Sequence, residues 1–294
     1  MSEDQLLSQY RNTVVTPLGT ISYLDVGAGP ATVFIHGVLT NSLLWRKIIV
    51  QAARDGRRCI ALDLPGHGQT PVPVQDLDIT LSGLADLVIG FVNALGVAGF
   101  DLVANDTGGA VAQIVAARAG DRIRTLTLTN CDTERHVPPT LFKPIVALSP
   151  PWLMARVGPR VFRRQGVLRA LLRAGYRDPG ALPAEIIESY GQPVFGTPES
   201  SRFLAKMLRA MHSRDLEDAK AGLAAFKVPT LIVWGTGDHF FPVKYAHRLG
   251  KLIAGTVAVY ELNDARLYFP DEDAQQLLPL LQGHWSSGHQ SSTA

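Results

Sequence analysis

The chain has 294 residues, a size at which roughly 75% of the unfolded surface can be buried. Hydrophobic residues make up 46% and charged residues 18%, a balance that excludes a disordered or fibrous chain and requires a large apolar core. A formal charge of +2 gives no global polyanion-binding signature. Two cysteines, Cys59 and Cys131, allow neither a disulfide framework nor, without a close Cys or His partner, a zinc cluster, so neither a metal nor another cofactor is expected.

The start, Met1-Ser2-Glu3-Asp4-Gln5, is acidic and polar and lacks the two regions of a signal peptide, which makes the cytoplasm the expected compartment. No run reaches the ~18 apolar residues of a membrane span. From Thr13 to Val26 two β-patterned runs flank Pro17-Leu18-Gly19, a hairpin signal, and Ala31 to Ile35 reads as a buried strand. Ser42 to Arg54 has helical amphipathicity, and Arg58 to Leu62 reads as the next strand, ending at Asp63. Thr80 to Leu95 reads as helix, Phe100 to Ala104 as strand, Gly108 to Ala119 as a small-residue helix and Ile123 to Leu128 as strand. Such alternation predicts a mostly parallel sheet wrapped by helices, an α/β fold.

The rhythm breaks from about Asp132 to Lys227, where helical patterns are cut by ten prolines and no strand pattern stands out. This segment reads as a helical insertion after the sixth strand. Alternation resumes with Val228 to Trp234 as strand, a helix from about Val243 to Ile253, a strand from Val257 to Leu262 and a last helix from about Asp271 to Leu281. The expected organisation is a core of residues 1–131 and 228–282, an insertion of residues 132–227, and a disordered Ser-, Gly- and His-rich tail of residues 283–294.

Three turns carry the chemistry. His36-Gly37-Val38 follows a strand, and its Gly allows a tight turn that can aim an N–H into a site. Asn105-Asp106-Thr107-Gly108-Gly109 forms a strand, sharp turn and helix with small residues where the helix must pass close to the sheet, the pattern of a nucleophile elbow. Asp106 there would have its carboxylate over a helix N-terminus, suited to displacement at an sp³ carbon, although an Asp before a helix also serves as an ordinary N-cap. Gly235-Thr236-Gly237-Asp238-His239 follows a later strand, and Asp238 is the candidate orienting acid, with Asp132 a second. His67, in the loop after Asp63, reads as a packing residue.

Together these motifs resemble the α/β-hydrolase superfamily over about residues 15 to 282, and Asp106 makes the chain look most like its haloalkane dehalogenase and epoxide hydrolase branches. The resemblance implies Asp106 as nucleophile, Asp238 as acid, the N–H groups of Val38 and Thr107 as oxyanion donors, and the insertion as a helical cap. It also implies a His after the last strand, and here the chain departs. In Asp264 to Glu272 that position falls on Leu267 or Tyr268, so the triad is incomplete. Tyr268, His239 and His36 are candidates for proton transfer or substrate contact. His284 is placed beyond the last helix, and His136, His212 and His247 read as insertion or surface residues. Val38 and Thr107 stand where resembling dehalogenases use Asn and Trp to hold a halide, which disfavours dehalogenation. Resembling epoxide hydrolases protonate the epoxide from cap tyrosines, for which Tyr176 and Tyr190 are available.

In the insertion Arg156, Arg160, Arg163, Arg164, Arg169, Arg173 and Arg177 face only Asp178 over Pro151 to Gly180, the last three basic residues being spaced by four. They read as a solvated face or as a docking surface for an anionic carrier, an acidic protein or a membrane surface. Sparse aromatic interleaving does not favour nucleic acid. The expected activity is an enzymatic one on a hydrophobic small molecule, hydrolytic by resemblance. The alternatives are a lyase, isomerase or cyclase in which Asp106 shuttles a proton, and a binder that has lost turnover.

Overall fold

The computed structural model of the chain describes residues 7–73, 77–162 and 164–290. The first five residues and Arg163, on which sequence expectations rest, lie outside these. The strands are β1 (Arg11–Thr16), β2 (Gly19–Val26), β3 (Ala31–Ile35), β4 (Arg58–Leu62), β5 (Phe100–Asp106), β6 (Ile123–Cys131), β7 (Thr230–Gly235) and β8 (Thr256–Leu262). They form one sheet in the order β1-β2-β4-β3-β5-β6-β7-β8. β1 pairs with β2, and β2 with β4, antiparallel; every other pairing is parallel. β3, β5 and β7 are buried at every position, as strands covered on both faces must be, whereas β8 at the edge is half open.

The helices before the insertion are α1 (Arg46–Arg54), α2 (Leu81–Ala94) and α3 (Thr107–Ala119). Ser42–Trp45, expected as part of α1, is a separate 3₁₀ turn, because Asn41 accepts the Leu43 N–H and sets a start of its own. Between β6 and β7 come α4 (Lys143–Leu148), α5 (Pro151–Val161), α6 (Gln165–Leu172), α7 (Ala184–Phe195), α8 (Pro198–Ala210) and α9 (Ser213–Ala225), with no strand among the described residues. The prolines break this segment less than expected: Pro159 and Pro193 lie inside α5 and α7, while Pro144, Pro151 and Pro198 occupy first turns, where no N–H is missed. Thr197 closes a capping box with Ser200 at the start of α8. α6 ends at Leu172, so Arg169, Arg173 and Arg177 do not share one helical face. Arg169 donates instead to the Pro179 carbonyl, and Arg177 pairs with Asp273 at 2.5 Å.

The C-terminal part holds α10 (Lys244–Leu252), α11 (Phe269–Glu272) and α12 (Ala274–Gln290). The expected disordered tail is thereby corrected from Gly283 to Gln290; only residues 291–294 of it lie outside the description. The reason is Trp285, which is buried with the Arg57 guanidinium 4.2 Å from its ring, and His284, whose Nε2 lies 3.1 Å from the Leu126 carbonyl. One docked indole outweighs the polar composition around it.

The topology fixes where a ligand can bind. From β3 the chain turns to β4 on one side, while β5 flanks β3 on the other, so the loops leaving β3 and β5 diverge. Crevices at such switch points, at the carboxyl ends of the strands, are where open parallel sheets take ligands. Here those ends are Ile35, followed by His36 to Val38, and Asp106.

Candidate active site

Asp106 ends β5 with φ 55° and ψ −132°, a conformation that costs a non-glycine residue about 1–3 kcal/mol. The turn reverses the chain into α3, and it fits only because its neighbours are small. A Cβ on Gly108 would strike the His36 and Ile35 carbonyls, and a Cβ on Gly37 would overlap the Asp106 carboxyl itself. The carboxyl accepts the N–H groups of Thr107 and Val38, so the two expected oxyanion donors converge on one side chain. Beyond Thr107 the Asp106 side chain makes no N-cap hydrogen bond into α3, so it is not spent on the ordinary capping role.

Above this elbow lies a cavity walled mainly by apolar side chains. Val38, Asp106, Thr107, Asp132, Leu267 and Tyr268 border it from the sheet side, and Leu171, Leu172, Leu208 and Met211 of the insertion close it from above. Burial, reinforced by the Asp238 charge and opposed by the Thr107 and Val38 N–H groups, pushes the Asp106 pKa up to about 7. Asp132 is raised well above the usual carboxylate range by burial and by the Asp106 charge. Its Oδ2 accepts from Thr107 Oγ1 at 3.5 Å, and its Oδ1 is buried without a hydrogen-bond partner. Two carboxyl groups thus share an apolar floor, and burial first, with the Asp106 charge acting on Asp132, keeps a proton on the pair at neutral pH.

Asp238 is held close by but does not line the cavity. Its Oδ2 accepts from Asn130 Nδ2 at 2.7 Å and its Oδ1 from the Phe240 N–H at 2.7 Å. Asn130 also accepts the Gly235 N–H at 2.6 Å, clamping β6 to the end of β7. Asn105 donates to Thr129 Oγ1 and to the Leu267 carbonyl, each at 3.0 Å, and so fixes the loop that carries Tyr268. Neither asparagine was singled out in the sequence. The available signal is a polar amide at the end of an otherwise apolar strand.

Leu267 and Tyr268 both border the cavity, but only Tyr268 brings a polar group to it. Its hydroxyl lies 3.4 Å from the Val38 carbonyl, and its ring packs 5.0 Å from that of Tyr176. Burial and the Asp106 charge raise its pKa well above the ordinary phenol value, so it is a neutral O–H donor.

Four expected contacts are corrected. His36 is fully buried with both ring nitrogens engaged: Nδ1–H donates to the Gly37 carbonyl at 2.7 Å and Nε2 accepts the Leu64 N–H at 2.9 Å. Burial and the neighbouring His67 take its pKa down to about 3, so it braces the turn as a neutral ring. His239 is exposed and does not line the cavity. Tyr176 and Tyr190 are buried with their hydroxyls 3.4 Å apart, and neither lines the cavity. Tyr176 donates to Asp271 at 3.0 Å, and Asp271 pairs with buried Arg46 at 2.7 Å.

A strand-to-helix elbow bearing an acidic residue, two backbone donors aimed at it and a helical insertion over the sheet define a protein of the α/β-hydrolase class. The family model described as alpha/beta hydrolase fold matches residues 30–272, and the chain belongs to that family. Within it the chain falls in the branch resembling haloalkane dehalogenases and epoxide hydrolases. Haloalkane dehalogenase 2 of Mycobacterium bovis is 30% identical over 268 residues, 87% of each chain. Bifunctional epoxide hydrolase 2 of Sus scrofa is 26% identical over 117 residues, 40% of this chain and 21% of that protein. The crystal structure of a haloalkane dehalogenase loop variant from Bradyrhizobium elkanii matches with a TM-score of 0.73 at 26% identity, covering 97% of this chain and 98% of that one.

Proposed function

We propose that the chain is an enzyme acting on a hydrophobic small molecule, with Asp106 as the carboxylate that attacks it and the insertion as the cap over the bound substrate. The observation that carries this reading is the Asp106 carboxyl, held by two backbone N–H groups on the floor of an apolar cavity. One oxygen attacks an sp³ carbon, the C–O bond of an epoxide breaks, and the departing oxygen takes a proton from the neutral Tyr268 hydroxyl. The product is a single 2-hydroxyalkyl ester on Asp106, and the Tyr268 phenolate regains its proton from solvent. An epoxide is favoured over a haloalkane because the side chains of Val38 and Thr107 offer no N–H to a departing halide. Tyr268 takes the place of the activating His and, once reprotonated, cannot deprotonate water. Water attack on the ester therefore depends on a carboxylate, and Asp132, with its unpartnered Oδ1, is the group that borders the cavity.

A second reading, in which Asp106 only shuttles a proton in a lyase, isomerase or cyclase reaction, is favoured by its pKa of about 7, where a general acid–base works best. Intact-protein mass after incubation with epoxides, haloalkanes and activated esters separates the two. An adduct that forms on the chain and is lost in Asp106→Asn supports covalent attack. Turnover without adduct, and without solvent ¹⁸O in product or protein, supports the shuttle. The absence of both adduct and turnover with every class would overturn the enzymatic reading.

A further inference from the structure

We propose that the outer face formed by α4 and α5 docks the protein on an anionic lipid bilayer. The charge of the chain is unevenly placed. Residues 135–177 contain nine Lys and Arg and no Asp or Glu, and since the whole chain carries +2, the remainder carries a net −7. Within the same segment large apolar side chains stand in solvent: Leu141 is 60% exposed, Ile145 48%, Leu148 75% and Trp152 68%. Among the described residues of this segment only Arg135 and Arg177 pair with carboxylates, and exposed apolar groups beside the remaining basic ones complement a surface that offers anionic headgroups over hydrocarbon. An acidic protein partner would match the charge but not the protruding Leu148 and Trp152 side by side with it.

The fold presents this face deliberately to solvent. α5 turns Ala155 and Gly158 inward, and a Cβ on Gly158 would meet Ser201 of α8 and Phe195 of α7. Its outer face then carries Trp152, Arg156 and Arg160 at intervals of four, one stripe along the helix. Among the described residues Arg156, Arg160 and Arg164 pair with no carboxylate; Arg160 donates only to the Arg156 carbonyl. α4 buries none of its six residues, yet it is fastened, because Arg209 of α8 donates to the carbonyls of Val146 and Ala147 at 2.9 and 3.0 Å. No helix among the described residues is long and apolar enough to cross a membrane, so the contact is interfacial. A second apolar cavity, bordered by Ile145, Met154 and Phe162, adjoins the one over Asp106 across Leu39, Phe142, Leu171 and Leu208. A hydrophobic molecule dissolved in the bilayer would meet the protein on the side of this cavity. The docking itself stands without the catalytic reading of Asp106.

The full chain reports its own binding. Of its four tryptophans, Trp45, Trp234 and Trp285 are at most 1% exposed, so a change in indole emission on adding vesicles comes from Trp152. Phosphatidylcholine vesicles containing phosphatidylglycerol are expected to shift the emission to the blue and to float the protein, and pure phosphatidylcholine vesicles to do neither. Arg156→Gln with Arg160→Gln is expected to weaken partitioning about 30-fold, and Leu148→Ser with Trp152→Ser to abolish flotation while thermal unfolding stays unchanged. No shift with the anionic vesicles overturns the proposal, and so does equal binding to both kinds of vesicle. A Trp152-dependent dimer without vesicles also overturns it, assigning the face to a second copy of the chain.

Discussion

The unusual ionisation of Asp106 has a thermodynamic consequence that can be measured without knowing a substrate. Its pKa is raised from 3.8 to about 7, first by burial and then by the Asp238 charge. Between those values the folded chain binds a proton that the unfolded chain has released, so stability falls as pH rises through this window and levels off above it. Three pKa units at about 1.4 kcal/mol each give a penalty on the order of 4 kcal/mol at pH 8, absent at pH 4. Asp106→Asn keeps the shape and the acceptor for the Val38 and Thr107 N–H groups but has no charge to bury. The variant is therefore expected to match the unsubstituted chain near pH 4 and to exceed it by on the order of 4 kcal/mol at pH 8. With about 2.1 cal/mol/K of unfolding entropy per residue, that is a rise in Tm of about 6 °C. Calorimetric unfolding of both proteins across this range checks it. A difference that is absent at pH 8, or the same at every pH, would refute the assignment of a buried, proton-binding carboxyl.

Three further substitutions probe the neighbours of Asp106. Asp238→Asn removes the like charge that helps to raise Asp106 and is expected to lower the midpoint of Asp106 ionisation by about one unit, read from the pH dependence of adduct formation. Asn130→Ala strips the hydrogen bonds to Asp238 and Gly235 and is expected to cost about 2–3 kcal/mol in urea unfolding, since both partners are left buried. Tyr268→His supplies the base the loop lacks; it is expected to convert a persistent ester on Asp106 into turnover at least tenfold faster, followed by product release. An equally slow release would show that the loop does not aim its side chain at the ester.

Much of the sheet could be read from local pattern. β3 is a run of apolar residues bounded by turns, and the elbow announces itself because Gly108 and Gly109 follow a strand where the helix must nearly touch its neighbours. What could not be read depends on which residues meet across long separations. Asn105 reaches Leu267 over 162 positions and Asn130 reaches Asp238 over 108, and no periodicity encodes such pairs. The register of the loop after β8 left Leu267 and Tyr268 open, and only packing against Tyr176 gives the phenol its place. His36 looked available because it lies beside the oxyanion turn. Its two backbone partners, one of them 28 residues away at Leu64, explain why it is not. The insertion was the hardest segment, because the faces of α4 to α8 are chosen by mutual packing rather than by a sheet beneath them, and α9 lies against α3.

The proton inventory of the cavity decides what the proposed chemistry can finish. Tyr268 is a neutral phenol, His36 has no free lone pair, and Asp238 has spent oxygens on Asn130 and on the Phe240 N–H. The site is therefore rich in proton donors and poor in acceptors. Donors serve the first half of an epoxide opening, where oxygen leaves carbon and needs a proton. The second half needs a base for water, and the raised pKa of Asp132 makes it a better base than an exposed aspartate once it has lost its proton, but leaves it protonated most of the time. Attack should then outrun release. Pre-steady-state kinetics with substrate in excess would show this as a fast phase of epoxide consumption whose size equals the protein concentration, followed by a slow steady rate that climbs with pH as Asp132 ionises. A slow phase indifferent to pH would take Asp132 out of the reaction and leave the proton-shuttle reading of Asp106 as the stronger one.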